Sequence, residues 1–478
     1  MEEYNAILAK SFTRKEQKKL RYGALLAFCV FLLTCFTVFK PSFTHPPILN
    51  LRSSIYGARP RMLQIDENII SRNPRQIFST KVKLQAETRR PACNVLEPRS
   101  DYCDIQGDIR IHGKLSTISF ASPQNGNIAG LNESWRIRPY ARKGDKAAMT
   151  SITELSVKSF VGNDRTINSV CSYSHGVPAI IFSLGGYAGN QFHDFSDILV
   201  PLFITSYQFH QQVQFLVKDF KPYWISKYMP ILKQLSKYPI INMDNENNVH
   251  CYGRVIVGLK HHKEFGVDPF KSPKGYSVRD FTQFLRKAYS LNRTTAITIN
   301  EGQNATKKPR LLIVSRKGTR KFTNEEEIAK MATSMGYEVV VAEPGVTMTP
   351  SEFAHIVNSC DVMMGVHGAG LTNLAFLPTN AVVIQIIPLG GLEWLSRHDF
   401  GEPAVEMKLR YLEYKIREEE SSLIEVYPRN HVVFRDPTSF SKLGWEAVKS
   451  VYLEKQNVKL DVASFRVTLV EALKLLHS

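Results

Sequence analysis

The chain has 478 residues, of which 43% are apolar, 10% aromatic and 22% charged, a composition typical of globular domains rather than of disordered chains. Its formal net charge of +17 favours an anionic partner, such as nucleic acid, an anionic membrane surface or an acidic polymer. Because no zinc-finger spacing, aromatic RNA-binding motif or basic helix occurs, we expect no nucleic-acid partner.

An uncharged segment near the N-terminus predicts a membrane anchor. Residues 22–39 carry no charged side chain, and a helix of that length spans about 27 Å, enough to cross a hydrocarbon core. The basic stretch 14–21 precedes it, so residues 1–21 are expected in the cytosol and the remainder in the lumen. A cleaved signal peptide is the alternative, but the apolar run is long for one and no small-residue cleavage site follows.

Potential glycosylation sites and cysteines fit a lumenal body. Asn-x-Ser/Thr sequons begin at Asn132, Asn292 and Asn304. An oxidising compartment permits disulfides, and the spacing suggests a local pair, Cys93 with Cys103, and a second pair, Cys171 with Cys251. Cys360 would remain as a small buried hydrophobe on the apolar face of a helix.

The next segments predict a stem and a first α/β lobe. Residues 40–105 are assigned to the stem, whose first part is rich in Arg, Pro, Ser and Thr and shows little periodicity. From about residue 178, apolar strands at 178–184, 213–219, 239–244 and 253–259 alternate with helical stretches at 190–209 and 223–236. This alternation indicates crossover connections and a parallel sheet, here assigned to a first lobe over residues 106–305.

A more regular α/β series predicts a second lobe over residues 306–437. Strands are expected at 310–316, 337–343, 361–366 and 381–388, and helices at 323–336 and 349–360. Capping-box spacing marks the helix starts, Thr323 with Glu326 and Thr349 with Glu352. Residues 438–478 predict two helices that cross back over the first lobe. Two α/β lobes joined by a linker would form a cleft at their strand ends.

A glycine-rich turn follows the third strand of the second lobe. In "GVHGAGLTN" (365–373), glycines would let an anion approach free backbone N–H groups at a helix start. The spacing matches neither the dinucleotide fingerprint nor the P-loop, and a tight turn without a ligand is the alternative. His367 favours a binding role, because its ring can donate to an anion from the same loop.

Two arginines lie at the same predicted sheet edge. Arg316 and Arg320 belong to "SRKGTRKF" (315–322), directly after the first strand of that lobe. Guanidinium groups bind phosphate in a two-pronged fashion, although a basic surface loop is the alternative for either residue alone. Together with the glycine turn they predict a diphosphate site.

The first lobe contains a candidate general base. In "GGYAGNQFHDFSD" (185–197), a helical segment would place His193 and Asp197 on one face, so that the carboxylate could orient the imidazole. Asp194 is the competing candidate, and a histidine that packs under the turn is the alternative without catalysis. Since the chain has no Asp-x-Asp pair for a metal ion, we expect no metal, and the arginines, the histidine and the helix start would bind the diphosphate.

Three motifs in this order, "GGYAGNQFHDFSDILVPLF" (185–203), "RLLIVSRKGTRKFTNEEE" (310–327) and "GVHGAGLTNLAFLP" (365–378), resemble glycosyltransferase family 61. The basic N-terminus and "WRIRPYARK" (135–143) are similar to its plant xylan-modifying branch. The resemblance implies an α/β fold of the GT-B type, with two Rossmann-like lobes behind a transmembrane helix and stem. It also implies an inverting, metal-independent transfer of xylose or arabinofuranose from UDP-xylose or UDP-arabinofuranose to xylan in the Golgi, by a single-pass type II membrane protein.

The resemblance also assigns site residues. On the catalytic side it assigns His193 and Asp197, with Asp194 still open. On the donor side it assigns Asn190, Arg316, Arg320, His367, Gly368, Ala369, Gly370, Thr372 and Gln385. Animal members tend to carry Glu at the last position, which leaves a ribose contact of Gln385 in doubt.

Expected partners are the UDP-sugar, xylan or another cell-wall polysaccharide, the membrane and, as a further option, other Golgi transferases. The alternatives are an N-glycan core or pectin as acceptor, and a non-catalytic scaffold that binds UDP-sugars or glycans.

Overall fold

The computed structural model describes residues 92–121, 133–160, 170–299, 307–345 and 348–477. The predicted cytosolic tail, the anchor at 22–39, the stem up to residue 91, and the sequons at Asn132 and Asn304 lie outside the described residues. Within the part of the chain that the structure describes, no helix is long and apolar enough to cross a membrane.

The first sheet has ten strands among the described residues, in the order β4-β5-β3-β2-β10-β7-β8-β9, with β1 beside β2 and β6 beside β10. The strands are β1 Cys93–Asn94, β2 Tyr102–His112, β3 Thr117–Ala121, β4 Ser134–Ile137, β5 Leu155–Phe160, β6 Tyr173–His175, β7 Ala179–Ser183, β8 Gln214–Lys218, β9 Ile241–Asn242 and β10 Val249–Val257. Strands β7, β8, β9 and β10 run parallel as predicted, whereas β2 pairs antiparallel with β3 and β10.

The N-terminal edge of this sheet differs from the prediction. The sheet begins at Cys93, and β2 crosses the boundary between stem and lobe that the sequence placed at residues 105 and 106. The predicted disulfides Cys93–Cys103 and Cys171–Cys251 are confirmed, and the first of them joins β1 to β2. Cys360 is confirmed as a buried free thiol. Residues 92–105 are therefore part of the folded sheet and not of the stem.

The described helices of the first lobe are α1 Lys146–Thr150, α2 Gln191–His193, α3 Val200–Ser206, α4 Pro222–Leu235 and α5 Val278–Ala288. Three of them, α2, α3 and α4, connect its parallel strands β7, β8 and β9. A π-helical turn, Asp194–Leu199, joins α2 to α3, and 3-10 turns follow at Tyr207–Phe209 and Pro273–Gly275. The predicted helical stretch 190–209 thus exists, but it changes its winding three times along its length.

The second sheet is five-stranded and parallel throughout, in the order β12-β11-β13-β14-β15. Its strands are β11 Arg310–Val314, β12 Glu338–Ala342, β13 Val362–Val366, β14 Val382–Ile387 and β15 Arg410–Lys415, and the last was not predicted. Its helices are α6 Glu325–Ser334, α7 Pro350–Asn358, α8 Glu393–Ser396 and α9 Glu402–Glu406. A π-helical turn, Arg397–Gly401, lies between α8 and α9. The predicted α/β fold is confirmed.

Two local predictions in this lobe have different outcomes. The capping box of Thr349 with Glu352 is confirmed at the start of α7. The box of Thr323 with Glu326 is wrong, because α6 begins after Asn324 and the backbone N–H of Thr323 donates to the carbonyl of Val458 instead. The glycine turn opens a 3-10 helix, Ala369–Phe376, rather than an α-helix.

The C-terminal segment does not form two helices that cross back over the first lobe. It contains 3-10 turns at Glu418–Glu420 and Ser422–Glu425, then α10 Val432–Arg435, α11 Thr438–Lys442, α12 Trp445–Val448, a π-helical turn Lys449–Leu453 and α13 Val462–Leu476. Helix α13 packs against α6, β14 and β15. Its apolar face, with Phe465, Leu469 and Ala472, is buried against the second sheet, and Tyr337 donates to the carbonyl of Leu469. The last helix therefore completes the second lobe.

One hydrophobic core runs through both lobes. It includes Phe182 and Phe215 of the first sheet together with Leu312 and Met364 of the second. The strand ends that carry the candidate motifs are thus attached to a single packed interior, which fixes their relative positions.

Candidate active site

The glycine turn and the arginine loop meet at one edge of the second sheet. Strands β11 and β13 are parallel neighbours, and Arg316 and His367 follow their carboxyl ends. Gly368 has a φ of 143°, and a Cβ there would lie 2.6 Å from Nη1 of Arg320 and 3.1 Å from Nη1 of Arg316. Only glycine therefore lets both guanidinium groups approach the turn. The structure brings these predicted residues together.

Both arginines are half-buried, and neither forms an ion pair with a carboxylate among the described residues. Nη1 of Arg320 donates to the carbonyl of His367 at 2.7 Å, and Nε of Arg316 donates to the carbonyl of Thr319 at 2.9 Å. Burial lowers the pKa of both groups, and the charge of Arg316 contributes to bringing that of Arg320 to about 10. Both groups remain charged at neutral pH, so the loop presents desolvated positive charge that an anion would neutralise.

Arg320 also carries backbone strain. Its φ of 56° lies in the left-handed region, which costs a non-glycine residue about 1–3 kcal/mol and is typical of functional sites. Its backbone N–H donates to the carbonyl of Gln456 at 2.9 Å, and its Nε is buried without a hydrogen-bond partner in the part of the chain that the structure describes. The surrounding contacts hold this side chain against the turn despite the strain.

The His367 ring is buried at the turn and is only 4% exposed. Its Nδ1 lies 2.8 Å from Nε2 of Gln385, and the Tyr411 hydroxyl donates to Oε1 of the same amide at 2.6 Å. Burial first, and then the charges of Arg320 and Arg316, lower the pKa of His367 to about 3. The imidazole is therefore neutral at physiological pH.

The remaining predicted donor-side residues occupy different positions. Ala369 and Gly370 are half-buried at the start of the 3-10 helix, where the first N–H groups lack intrahelical acceptors. The side chains of Thr372 and Gln385 are fully buried, and both ends of the Gln385 amide are occupied. The expected contact of these two side chains with a ligand therefore stays a prediction.

The first-lobe motif lies at the carboxyl end of β7. Asn190 is exposed and caps α2, since its side-chain oxygen accepts from the Phe192 N–H at 3.0 Å. His193 Nδ1 lies 3.0 Å from Oδ2 of Asp197, so the predicted pair is formed. A carboxylate only accepts hydrogen bonds, which places the ring proton on Nδ1 and leaves a lone pair on Nε2. The ring is 20% exposed, as a base that meets a substrate must be.

Asp197 is held by several donors besides His193. Its Oδ2 also accepts from the Tyr140 hydroxyl at 2.9 Å and from Nε of Arg142 at 2.8 Å. Burial alone would raise the pKa of Asp197, but the hydrogen bond of His193 and the charge of Arg142 outweigh it and lower the pKa. The carboxylate is therefore charged and can stabilise an imidazolium at His193.

Asp194 has a different environment, which separates the two candidate acids. Its carboxylate is fully buried and accepts from Gly189 N, Trp224 Nε1 and Tyr228 Oη, each at 2.7 Å. Lys227 Nζ approaches to 3.3 Å. With its oxygens surrounded by donors, Asp194 stabilises the loop rather than facing a substrate, and the geometry favours His193 as the base.

A cluster that sequence reasoning did not assign surrounds Asp197. Glu264 accepts from Arg99, from Ser196 Oγ at 2.5 Å and from Nη2 of Arg142 at 3.4 Å. Nearby, burial first and then the charge of Glu264 raise the pKa of Asp399 to about 7. The stretch "WRIRPYARK", which contains Tyr140 and Arg142, was a visible signal, whereas nothing local identified Glu264 or Asp399.

The two halves of the site are in contact. Nε2 of Gln191, next to His193 on α2, donates to Oδ1 of Asn373 in the 3-10 helix at 2.8 Å. The ring of Phe400 lies 5.4 Å from that of Phe192 and 5.7 Å from that of His367. The candidate base His193 therefore lies beside the candidate anion site. The Phe400 ring lies between Phe192, the neighbour of His193, and His367.

Two further expectations concern the sequon at Asn292 and metal binding. Asn292 is exposed, as a glycosylated asparagine must be. Among the described residues, no group of three or more His, Cys, Asp or Glu side chains is arranged to hold a metal ion.

Comparison with known proteins identifies the family. The sequence profile described as Glycosyltransferase 61 matches residues 192–384, a range that contains His193, both arginines and the glycine turn. The chain is 35% identical over 475 residues to xylan glycosyltransferase MUCI21 of Arabidopsis thaliana, which covers 96% of this chain and 92% of that protein. The chain belongs to the glycosyltransferase 61 family.

Other members of the glycosyltransferase 61 family are also similar. Beta-1,2-xylosyltransferase XYXT1 of Oryza sativa subsp. japonica is 43% identical over 397 residues, covering 80% of this chain and 84% of that protein. Alpha-1,3-arabinosyltransferase XAT3 of the same organism is 47% identical over 384 residues, covering 80% of this chain. The alignment spans 65% of the length of that protein, about two thirds.

In this family member, the raised pKa of Asp399 predicts a pH-dependent stability. In the folded chain the Asp399 carboxyl keeps its proton up to about pH 7. In the unfolded chain it loses this proton near its ordinary pKa of 3.8. The stability that Asp399 contributes at low pH is therefore lost as the pH rises through that window. We expect the free energy of unfolding to fall less from about pH 4 to about pH 7 in Asp399→Asn than in the unchanged protein, as measured by urea unfolding. Glu393→Gln, on neighbouring α8, is the control, and identical pH slopes in all three proteins would contradict the assignment.

Proposed function

We propose that this chain is an inverting, metal-independent glycosyltransferase of the Golgi that transfers xylose or arabinofuranose from a UDP-sugar to a xylan backbone. We further propose a GT-B arrangement of the lobes and a single-pass type II orientation, which rests on the uncharged segment 22–39 and its basic flank. The relatives support the choice of sugar and acceptor, because their names describe a xylan glycosyltransferase, a beta-1,2-xylosyltransferase and an alpha-1,3-arabinosyltransferase.

The observation that carries this proposal is the pair of half-buried arginines, Arg316 and Arg320, with no carboxylate partner among the described residues. Both approach the glycine turn, where the absence of a side chain at Gly368 leaves backbone accessible. A diphosphate suits this arrangement, since guanidinium forks and free N–H groups at a helix start both prefer phosphate oxygens.

On the acceptor side, His193 acts as the general base. An acceptor hydroxyl transfers its proton to Nε2 of His193 while its oxygen forms a bond to the anomeric carbon. Asp197 keeps Nδ1 protonated and stabilises the imidazolium, and Tyr140 and Arg142 hold Asp197 in place. Because the attack comes from the side opposite the leaving group, one displacement inverts the anomeric configuration.

On the donor side, the bond between the anomeric carbon and the diphosphate oxygen breaks, and its electron pair leaves with UDP. Arg316, Arg320 and the N–H groups at 368–370 stabilise the charge that develops on the departing oxygens, and His367 contributes a neutral donor. Pre-organised groups of this kind are worth about 3–4 kcal/mol each when they point to developing charge in a site of low dielectric.

A donor and acceptor assay tests the proposal. The purified protein would be incubated with UDP-xylose or UDP-arabinofuranose and xylan oligomers, with and without a chelator, and products separated by mass. We expect pentosylated oligomers with one donor at equal rates in both conditions. Transfer only to N-glycan cores or pectin would assign another acceptor, binding without transfer would indicate a scaffold, and loss of activity with chelator would overturn metal independence.

Replacement of Arg320 tests the leaving-group site. We expect Arg320→Ala to lower turnover by about 10²–10³-fold, because one donor to the departing diphosphate is lost, while the protein remains folded. Lys317→Ala is the matched control, since Lys317 is a cation on the same loop whose side chain is exposed. Turnover is measured at saturating donor and folding by circular dichroism, and unchanged turnover in Arg320→Ala would remove this residue from the mechanism.

A second pair of variants separates the two candidate bases. We expect His193→Ala to lose about 10²–10⁴-fold in turnover while the protein remains folded. Asp194→Asn should instead lower the free energy of unfolding by about 1–3 kcal/mol, because a carboxylate that accepts several buried hydrogen bonds is lost. If the folded fraction of Asp194→Asn were inactive while His193→Ala remained active, the assignment of the base would be reversed.

A further inference from the structure

The side chain of Gln385 lies beneath His367 and is fully buried, with both ends of its amide already occupied. Its amide connects the imidazole to the Tyr411 hydroxyl on the next strand, β15. We infer that Gln385 and Tyr411 are positioning residues that fix the ring proton of His367 on Nε2, so that a neutral imidazole donates a hydrogen bond to a diphosphate oxygen. This inference rests on the proposed function and specifies how that site recognises its anion.

The orientation of the amide follows from its two neighbours. The Tyr411 hydroxyl donates to Oε1 at 2.6 Å, so that Nε2 of the amide faces His367 at 2.8 Å. An amide nitrogen only donates hydrogen bonds, and Nδ1 must therefore accept. A neutral imidazole whose Nδ1 accepts carries its single ring proton on Nε2. The Tyr411 hydroxyl thus determines the tautomer of His367 through the amide.

Tyr411 is suited to this role because it keeps its proton. Burial, followed by the charge of Glu413, raises the pKa of Tyr411 above its ordinary value. Glu413 is itself paired with Arg397, with Nε to Oε1 at 2.7 Å and Nη2 to Oε2 at 2.8 Å. That carboxylate has a guanidinium partner and also a hydrogen bond with the Tyr411 hydroxyl, and Oε1 of Gln385 accepts from the same hydroxyl at 2.6 Å.

The other groups that face His367 explain why a neutral donor is needed. Arg316 and Arg320 approach from the loop after β11, and Phe400 packs its ring against the imidazole. The two guanidinium charges disfavour a third positive charge on a buried ring. A neutral ring with its proton on Nδ1 would instead direct a lone pair toward the anion. Among the described residues Nε2 has no hydrogen-bond partner, so it is the ring atom available to the ligand.

The substitution Gln385→Glu should move the ring proton of His367 to Nδ1 with little change in side-chain volume. A carboxylate only accepts, so it requires a proton on Nδ1 and raises the pKa of the ring. Nε2 then donates only when the ring is an imidazolium. We expect the ring and the diphosphate diester to add no pH dependence to the affinity of the unchanged protein for UDP-xylose from about pH 6 to about pH 8, because neither titrates there, so the unchanged protein is the reference that includes any effect of Asp399. The affinity of Gln385→Glu should fall about tenfold over this range, since a hydrogen bond to a charged group is lost.

The experiment is calorimetric titration of the full chain with UDP-xylose and, separately, UDP-arabinofuranose. Tyr411→Phe is the second variant, and it should weaken binding about three- to tenfold at every pH, because the amide is free to rotate. Thermal unfolding of each variant monitors folding. If the unchanged protein binds neither UDP-sugar, the proposed function itself fails. If it binds and Gln385→Glu shows the same pH dependence, the positioning role is overturned while the function stands.

A spectroscopic measurement on the unchanged sequence does not depend on the folding of the variants. Protein labelled with ¹⁵N at histidine would be examined by NMR, and the signals absent in His367→Ala assign this ring. We expect the pattern of a neutral ring protonated at Nε2, without change from about pH 8 down to about pH 5, since the pKa lies near 3. A ring protonated at Nδ1, or one that titrates near its ordinary value, would overturn the inference.

Discussion

The site depends on two guanidinium groups that stay charged while half-buried and without a carboxylate in contact, within the part of the chain that the structure describes. Removing a charge from water is costly, and the cost is normally met by an ion pair or avoided by placing the group at the surface. Here the glycine turn, the carbonyls of His367 and Thr319 and the strained backbone of Arg320 hold the pair in place. The second lobe is therefore destabilised at one edge in a way that an anionic ligand would relieve.

The first lobe must instead keep a buried carboxylate, Asp197, ionised next to the His193 ring, which becomes positively charged when it accepts a proton. Asp197 remains ionised only because Tyr140, Arg142 and His193 donate to it. Gly186 makes this possible, since a Cβ there would lie 2.8 Å from the Tyr140 ring. Gly186 thus serves the packing of a tyrosine, whereas Gly368 of the second-lobe turn serves the approach of two guanidinium groups.

The sequence predicted the parts of this molecule whose signals are local. Parallel strands such as β7, β11 and β13 are continuous apolar runs, and the motif residues His193, Asp197, Arg316, Arg320 and His367 lie where chain order and strand direction placed them. The antiparallel strands before residue 160 were not predicted, since their outer faces are polar and the second partner of β2, strand β10, is distant in sequence. Glu264 and Asp399 were not predicted for the same reason, because only tertiary contacts bring them to Asp197. Gln385 was assigned to the ligand, whereas the direction of its side chain from β14 places it beneath His367.

The π-helical turn Asp194–Leu199 makes the spacing of His193, Asp194 and Asp197 along the chain critical. Its wider winding, about 4.4 residues per turn, keeps residues four apart nearly in line and moves residues three apart onto different sides. His193 and Asp197 consequently face one another, while Asp194 points away from both toward Trp224 and Tyr228. An insertion or deletion of one amino acid in this turn would rotate one acid into the surroundings of the other. The register of the segment is thus as essential as the identity of its acids, and a homologue with a different spacing would need a different base.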